Sequence, residues 1–130
     1  MTQIWQDDKV VPVSIIKLTG EADLALLGAG KRVKVSGTTK GKGFLGVVGR
    51  YGFHGGPQTH GQKNRLRAPG SIGATAPQRV VPGMRMAGRT GGIRFTVRNL
   101  MVVKLNKETK ELMLKGAVPG NRGGKLEIII

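Results

Sequence analysis

The chain has 130 residues, a single-domain length, and a formal net charge of +15 from 22 Lys/Arg against 7 Asp/Glu. It contains no cysteine, which excludes disulfides, thiolate zinc sites and a cysteine nucleophile. No apolar run approaches the ~20 residues of a membrane span, and the N-terminus lacks the layout of a signal peptide, so the sequence predicts a cytoplasmic protein without membrane contact.

The N-terminal region is predicted to form strands. Val10–Leu18 is apolar and rich in β-branched residues, and the preceding Asp7 and Asp8 are expected in a solvated turn. Glu21–Leu27 is the only modest helix candidate, about two turns long.

Lys31–Ser36 alternates between apolar and polar residues, which predicts a further strand. Val33 and Val35 would lie on one face, towards a core, with Arg32, Lys34 and Ser36 on the other face.

The motif GKGFLGVV matches the spacing of phosphate-binding glycine loops through Gly41, Gly43 and Gly46. The signal is weak in a chain with 22 glycines. A dinucleotide site would also need a following helix and an acid roughly 20 residues on, and neither is expected here. The sequence therefore favours a structural interpretation, with glycines where the backbone is crowded.

The central region is poor in residues that could form a core. Residues 50–92 hold 8 large apolar side chains in 43 positions, whereas the other 87 positions hold 34. The wider stretch between Lys40 and Arg94 contains 14 glycines and shows no regular period. It could be a flexible, disordered loop or an extended arm ordered by a partner. Its apolar residues and single serine distinguish it from a simple linker and favour the arm.

The C-terminal region again predicts strands. Ile93–Arg98 alternates, with Ile93, Phe95 and Val97 expected to face a core. LMVVKL and ELMLKG flank the polar NKETK as a hairpin, AVPGNRGG is a loop, and KLEIII is a last strand. Many short strands separated by Gly and Pro indicate a mostly-β fold, a small antiparallel barrel or sandwich.

The distribution of charge points to a polyanionic partner. From Leu24 to Lys107 there are 16 Lys/Arg and no acid. Such a stretch repels itself unless a polyanion neutralises it, and nucleic acid is favoured over an anionic membrane or an acidic protein. Few aromatic residues argue for recognition of RNA shape and phosphates rather than base stacking. The predicted RNA-binding residues are Lys40, Lys42, Arg50, His54, His60, Lys63, Arg65, Arg67, Arg79, Arg85, Arg89 and Arg94.

No pattern predicts catalysis, a cofactor or a metal. His54 and His60 lack the cysteine or carboxylate neighbours of a metal site, and in a basic segment they suit contacts to bases or phosphates. Arg65 and Arg67 would face the same side if the chain between them were extended. The sequence therefore predicts a binding protein rather than an enzyme.

Several long blocks resemble the universal large-subunit ribosomal protein L3 family in its bacterial form. They are SGTTKGKGFLGVVGRYGFHGGPQTHG, RLRAPGSIGA, GMRMAGRTGG and LKGAVPGNRGG, in family order. The opening MTQIWQDDKVVPVSII is similar to the first strands of that family. The stretch between these strands and SGTTKGKGF is shorter than in the family, which implies a shortened form.

The resemblance implies a translation-factor-type β-barrel, residues 1–36 and 93–130, with a long Gly-rich basic arm, residues 37–92, inserted in it. The arm would penetrate large-subunit rRNA, with its tip near Ser71–Arg79 approaching the peptidyl transferase centre. Implied partners are this rRNA and the neighbouring ribosomal proteins L14 and L19. The implied role is that of a structural constituent of the cytoplasmic ribosome that binds rRNA, aids subunit assembly and supports the peptidyl transferase region.

One alternative function stays open at this stage. The chain could be a free-standing β-barrel RNA-binding module or RNA chaperone, including a reduced or reconstructed core of a ribosomal protein. A shortened barrel also exposes strand edges, through which a second copy could associate.

Overall fold

The computed structural model describes residues 1–19 and 27–130, so the predicted helix Glu21–Leu27 lies outside the described residues except for its last position. The chain divides into two compact units. The first, called the sheet unit below, comprises Met1–Lys40 and Ile93–Ile130. The second, called the central segment, is Gly41–Gly92.

The described residues of the sheet unit form six strands: β1 (Thr2–Gln6), β2 (Lys9–Lys17), β3 (Arg32–Thr38), β6 (Arg94–Asn106), β7 (Glu111–Lys115) and β8 (Leu126–Ile129). Their order across the sheet is β1-β2-β7-β6-β3-β8, and every neighbouring pair is antiparallel. The prediction of a mostly-β antiparallel fold is confirmed. Among the described residues, β1 and β8 are the two edges of the sheet, and no pairing closes it into a barrel.

Both predicted turns join paired strands. Asp7 and Asp8 have φ of 46° and 61° and link β1 to β2, with Gln6 opposite Lys9. Positive φ at both central residues is the geometry of a two-residue type I′ hairpin, which Asp tolerates better than most residues. The polar NKETK segment likewise brings β6 to β7, with Asn106 opposite Glu111.

The core of the sheet unit is formed by aliphatic side chains from four strands. Val35, Leu112 and Leu114 in this cluster are completely buried. They are joined by other residues that are at most 9% exposed: Ile16, Leu18, Leu27, Val33 and Val102. The prediction that Val33 and Val35 face the core is confirmed. Full burial of a Val or Leu side chain contributes about 1.5–3 kcal/mol, so this cluster is the main source of stability in the unit.

For three side chains, the prediction of whether they face the core or the solvent is wrong. Ser36 is only 3% exposed rather than outward, and its Oγ lies 2.7 Å from Thr96 Oγ1, within hydrogen-bond distance. Ile93 and Phe95, expected in the core, are 64% and 53% exposed. Alternation identifies residues that share a face of a strand, but it does not say whether anything covers that face.

Gly37 lies in β3 between β6 and β8, where neighbouring side chains leave little room for a Cβ. A Cβ there would lie 2.6 Å from Leu126 Cδ2 and 3.2 Å from Pro119 Cγ. The described strand thus includes Gly37 and Thr38, which the sequence had assigned to the arm. Within residues 1–19 and 27–130, no helix has the length and apolar character needed to cross a membrane.

Candidate nucleic-acid interface

The central segment begins and ends in a small two-stranded ladder. β4 (Gly43–Leu45) pairs antiparallel with β5 (Gly88–Thr90), and the Lys42 N–H adds a 2.9 Å bond to the Thr90 carbonyl. The short helix α1 (Val47–Tyr51) follows β4 and ends at Gly52, which adopts the left-handed conformation and donates to the Val48 carbonyl. Val47 is the buried residue of this helix.

A closed loop occupies the first part of the central segment beyond α1. The Gly56 N–H donates to the carbonyls of Arg65 and Leu66, both at 3.1 Å. Gly55 has a φ of +74°, and a Cβ there would lie 1.9 Å from the Leu66 oxygen. With its amide oxygen turned inward, Gln62 accepts from the N–H groups of Arg65 and Leu66 at 2.5 and 2.8 Å. Backbone polar groups, rather than buried apolar side chains, therefore close this loop.

The chain turns at the exit of the loop, because the Ala68 N–H donates to the Arg65 carbonyl at 3.2 Å. The expectation that Arg65 and Arg67 lie on one side of an extended stretch is therefore not met. Both side chains are exposed, and Arg67 itself lies in the turn.

The loop also forms an open groove of about 400 Å³. His54 and Arg65, two of the predicted RNA-binding residues, come together in its lining beside Phe53. The rest of the lining is small or backbone in character: Gly52, Gly55, Gly56, Ala68, Pro69 and Gly70. Glycines in the lining let a ligand approach the backbone closely.

Residues Ser71–Arg79, where the sequence predicts the tip, are all exposed. Local bonds shape this stretch: the Ser71 hydroxyl donates to the Gly73 carbonyl at 2.9 Å, and the Arg79 N–H to the Pro77 carbonyl at 2.7 Å. The Ala76–Pro77 peptide bond is cis. Arg79 is therefore presented at the surface by a tight local turn.

The predicted RNA-binding residues fall in both units. Lys40 and Arg94 belong to the sheet unit, and the other ten lie in the central segment: Lys42, Arg50, His54, His60, Lys63, Arg65, Arg67, Arg79, Arg85 and Arg89. All are exposed except Arg50, which is half-buried.

Arg94 and Arg50 each have a partner within the protein. Arg94 Nη2 forms an exposed ion pair with Glu127 Oε2 in the sheet unit. Arg50 bonds to the Met86 carbonyl and lies over the Tyr51 ring. The central segment itself contains no Asp or Glu with which its eight Lys/Arg could pair.

The structure differs in two ways from what the sequence predicts for the glycine motif GKGFLGVV. A Cβ at Gly41, Gly43 or Gly46 would meet nothing within 4 Å, so the expectation of a crowded backbone is wrong. A helix does follow Gly46, contrary to the prediction, but it is only five residues long. No acid follows within the central segment, so the motif lacks the residue that would bind a ribose.

The described residues contain no group of three or more His, Asp or Glu that could hold a metal ion. Sequence reasoning also missed residues that shape the central segment, namely Gln62, Met86 and Gly88. Their roles are contacts made across 3 to 38 residues of chain, for which a single sequence carries no signal. The Gly55-Gly56 pair, in contrast, was recognisable as a turn dipeptide.

These features define a basic, mostly antiparallel β protein with a glycine-rich, acid-free central segment. Its sequence matches the family model described as Ribosomal protein L3 over residues 15–117. The chain belongs to the ribosomal protein L3 family.

Curated relatives agree with the family match. The chain is similar to "Large ribosomal subunit protein uL3" of Chloroherpeton thalassium, with 53% identity over 84% of this chain and 53% of the relative. It is also similar to the uL3 proteins of Herpetosiphon aurantiacus, 57% identical over 73% and 45% of the two chains, and of a Synechococcus strain, 49% identical over 87% and 52%. The chain thus spans about half the length of the curated relatives it matches.

Proposed function

We propose that this chain is a structural constituent of the large ribosomal subunit in the cytoplasm, where it binds large-subunit rRNA, aids subunit assembly and supports the peptidyl transferase region. Family membership supports the ribosomal assignment. The observation that carries rRNA binding is the central segment, in which exposed cations are spread along an irregular backbone without a single acid.

The proposed mechanism is phosphate neutralisation by spaced cations. Each Arg offers a planar fork that fits phosphate, and each bound phosphate releases counterions into solution. Cations that are spaced along the segment can contact several RNA helices at once. A stacking platform for single strands would need more aromatic residues than this segment has. Contacts to the neighbouring proteins L14 and L19 belong to the same proposal. The translation-factor-type barrel remains a prediction, because β1 and β8 are sheet edges here.

A second candidate function is a free-standing RNA-binding module or RNA chaperone. The exposed, acid-free run of cations in the central segment fits this function as well, because phosphate contacts carry no sequence information. A ribosomal constituent should prefer large-subunit rRNA, whereas a chaperone should bind unrelated structured RNAs of equal length equally well.

The deciding experiment measures the affinity of the chain for a bacterial large-subunit rRNA and for an unrelated structured RNA of equal length, over a series of salt concentrations. We expect tighter binding to the rRNA and a steep loss of affinity with salt. We also expect residues 50–92 to be cleaved by protease in the free protein and protected by the rRNA. Equal affinity for the two RNAs would favour the chaperone, and affinity unchanged in about 0.5 M salt would refute phosphate binding altogether.

A further inference from the structure

One arginine joins two stretches of the central segment: the first contains β4 and α1, and the second leads into β5. The Arg50 Nη1 in α1 donates to the Met86 carbonyl at 2.8 Å, across 36 residues of chain. Met86 lies just before β5, so the bond ties the helix of the first stretch to the strand of the second. A hydrogen bond from a charged donor to a carbonyl is stronger than one between neutral groups.

Tyr51 adds a second tie between the same stretches. Its ring centroid lies 5.0 Å from the Arg50 Cζ and 5.7 Å from the Arg85 Cζ, both within the distance at which a guanidinium is attracted to an aromatic ring. Arg50 and Tyr51 belong to the first stretch and Arg85 to the second. The ring therefore attracts one guanidinium from each of the two stretches.

Gly88 supplies the space that this arrangement needs. A Cβ at position 88 would lie 2.6 Å from the Arg50 Nη1 and 3.4 Å from its Cζ. The overlap falls on the end of a flexible side chain and not on backbone, so an alanine would displace the guanidinium while leaving the ladder intact. Gly88 is thus the position at which the tie can be broken without removing a charge.

We propose that Arg50 is a positioning residue that joins the two stretches of the central segment, and not one of its phosphate contacts. Its guanidinium is already engaged by the Met86 carbonyl and the Tyr51 ring, and it is half-buried while the other predicted RNA-binding residues are exposed. Only the RNA-binding part of this inference rests on the proposed function.

The first test uses the free protein and three variants: Arg50→Ala, Gly88→Ala and the control Arg67→Ala. Amide hydrogen exchange of residues 84–90 reports on the tie. Tyr51 is the only tyrosine in the chain, so 3-fluorotyrosine adds a single ¹⁹F resonance beside the two guanidinium groups. We expect faster exchange and a shifted resonance in both Arg50→Ala and Gly88→Ala, and neither change in Arg67→Ala. Unchanged exchange in Gly88→Ala would overturn the proposal.

The second test separates positioning from phosphate contact by the salt dependence of rRNA binding. Loss of one phosphate contact lowers the slope of log affinity against log salt by about 0.7–0.9, which we expect for Arg67→Ala. Arg50→Ala and Gly88→Ala should instead weaken binding about fivefold at every salt concentration, with the slope unchanged. The double variant Arg50→Ala/Gly88→Ala should be no weaker than Arg50→Ala alone.

A reduced slope in Arg50→Ala, together with wild-type binding by Gly88→Ala, would show that Arg50 contacts phosphate and would refute the proposal. Absence of any rRNA binding by the unaltered chain would refute the proposed function instead, and the exchange measurements would still decide the role of Arg50.

Discussion

The two units of this chain are held in shape by different interactions. In the sheet unit, aliphatic side chains from four strands are completely or almost completely buried. In the central segment Val47 is the only buried residue, and its form depends on backbone hydrogen bonds, glycines and one arginine. Burial of apolar area offsets the loss of chain entropy, and surface hydrogen bonds do so only weakly. The stability of the protein and ten of the twelve predicted RNA-binding residues therefore lie in separate parts of the chain.

The largest expected effect tests where stability resides. Leu112→Ala removes a completely buried side chain and should lower the free energy of unfolding by about 2–5 kcal/mol. Leu66→Ala, in the central segment and 42% exposed, is the matched control and should change it by less than about 0.5 kcal/mol. Denaturant unfolding followed by circular dichroism measures both. An equal loss of unfolding free energy in the two variants would contradict this division of stability between the two units.

The next effect tests where binding resides. Replacing Arg65, Arg67 and Arg79 together by alanine should weaken rRNA binding about tenfold to hundredfold and lower the salt slope by about 2–3, because three phosphate contacts are lost. The free energy of unfolding should hardly change, since all three side chains are exposed. The triple lysine variant keeps the charges and should keep the slope. A large loss of thermal stability in the alanine variant would mean that the central segment packs as core.

Two glycines, Gly37 in the sheet unit and Gly55 in the central segment, each have a neighbour that a Cβ would overlap. Replacing each by alanine therefore tests the two units separately. Gly37→Ala should lower the free energy of unfolding by about 1–3 kcal/mol, since the added methyl meets Leu126 and Pro119 inside the sheet unit. Gly55→Ala should open the closed loop and speed exchange of the Gly56 amide while leaving unfolding of the sheet unchanged. Gly41→Ala, which meets nothing within 4 Å, serves as the control for both.

The smallest effect concerns the ion pair of the sheet unit. Glu127→Gln should lower the free energy of unfolding by about 0.2–1 kcal/mol, since both side chains of the pair are more than half exposed. If Arg94 contacts phosphate as the sequence predicts, releasing it from Glu127 should also tighten rRNA binding slightly. Weaker binding in this variant would argue against a role for Arg94 at the interface.

Much of the sheet unit could be predicted from the sequence. Val33 and Val35 alternate with polar residues, and Asp7 and Asp8 suit a tight turn, because strand and turn preferences are local properties. The exposure of Ile93 and Phe95 and the burial of Ser36 could not be predicted in the same way. They depend on which strands lie alongside, and Ser36 is buried where Thr96 accepts or donates its hydrogen bond.

Some properties of the central segment follow from its composition, and others follow from contacts within it. Its acid-free run of cations and its shortage of core residues are plain in the sequence, and so is the reason to look for an RNA partner. The separate role proposed for Arg50 was not visible there, because Arg50 and Arg67 are the same residue type in the same basic stretch. Only the positions of Met86, Tyr51 and Gly88 distinguish them.

The sequence by itself determined the alternating strands, the charge and its sign, and the family to which the chain belongs, since these depend on residue type and order alone. The tertiary structure decided the strand order, the sheet edges, the covered faces and the arginines that are already engaged within the protein. Those properties arise from contacts between residues far apart in the chain, and a Cβ at Gly37 or Gly88 would overlap a neighbour only because folding brings that neighbour there.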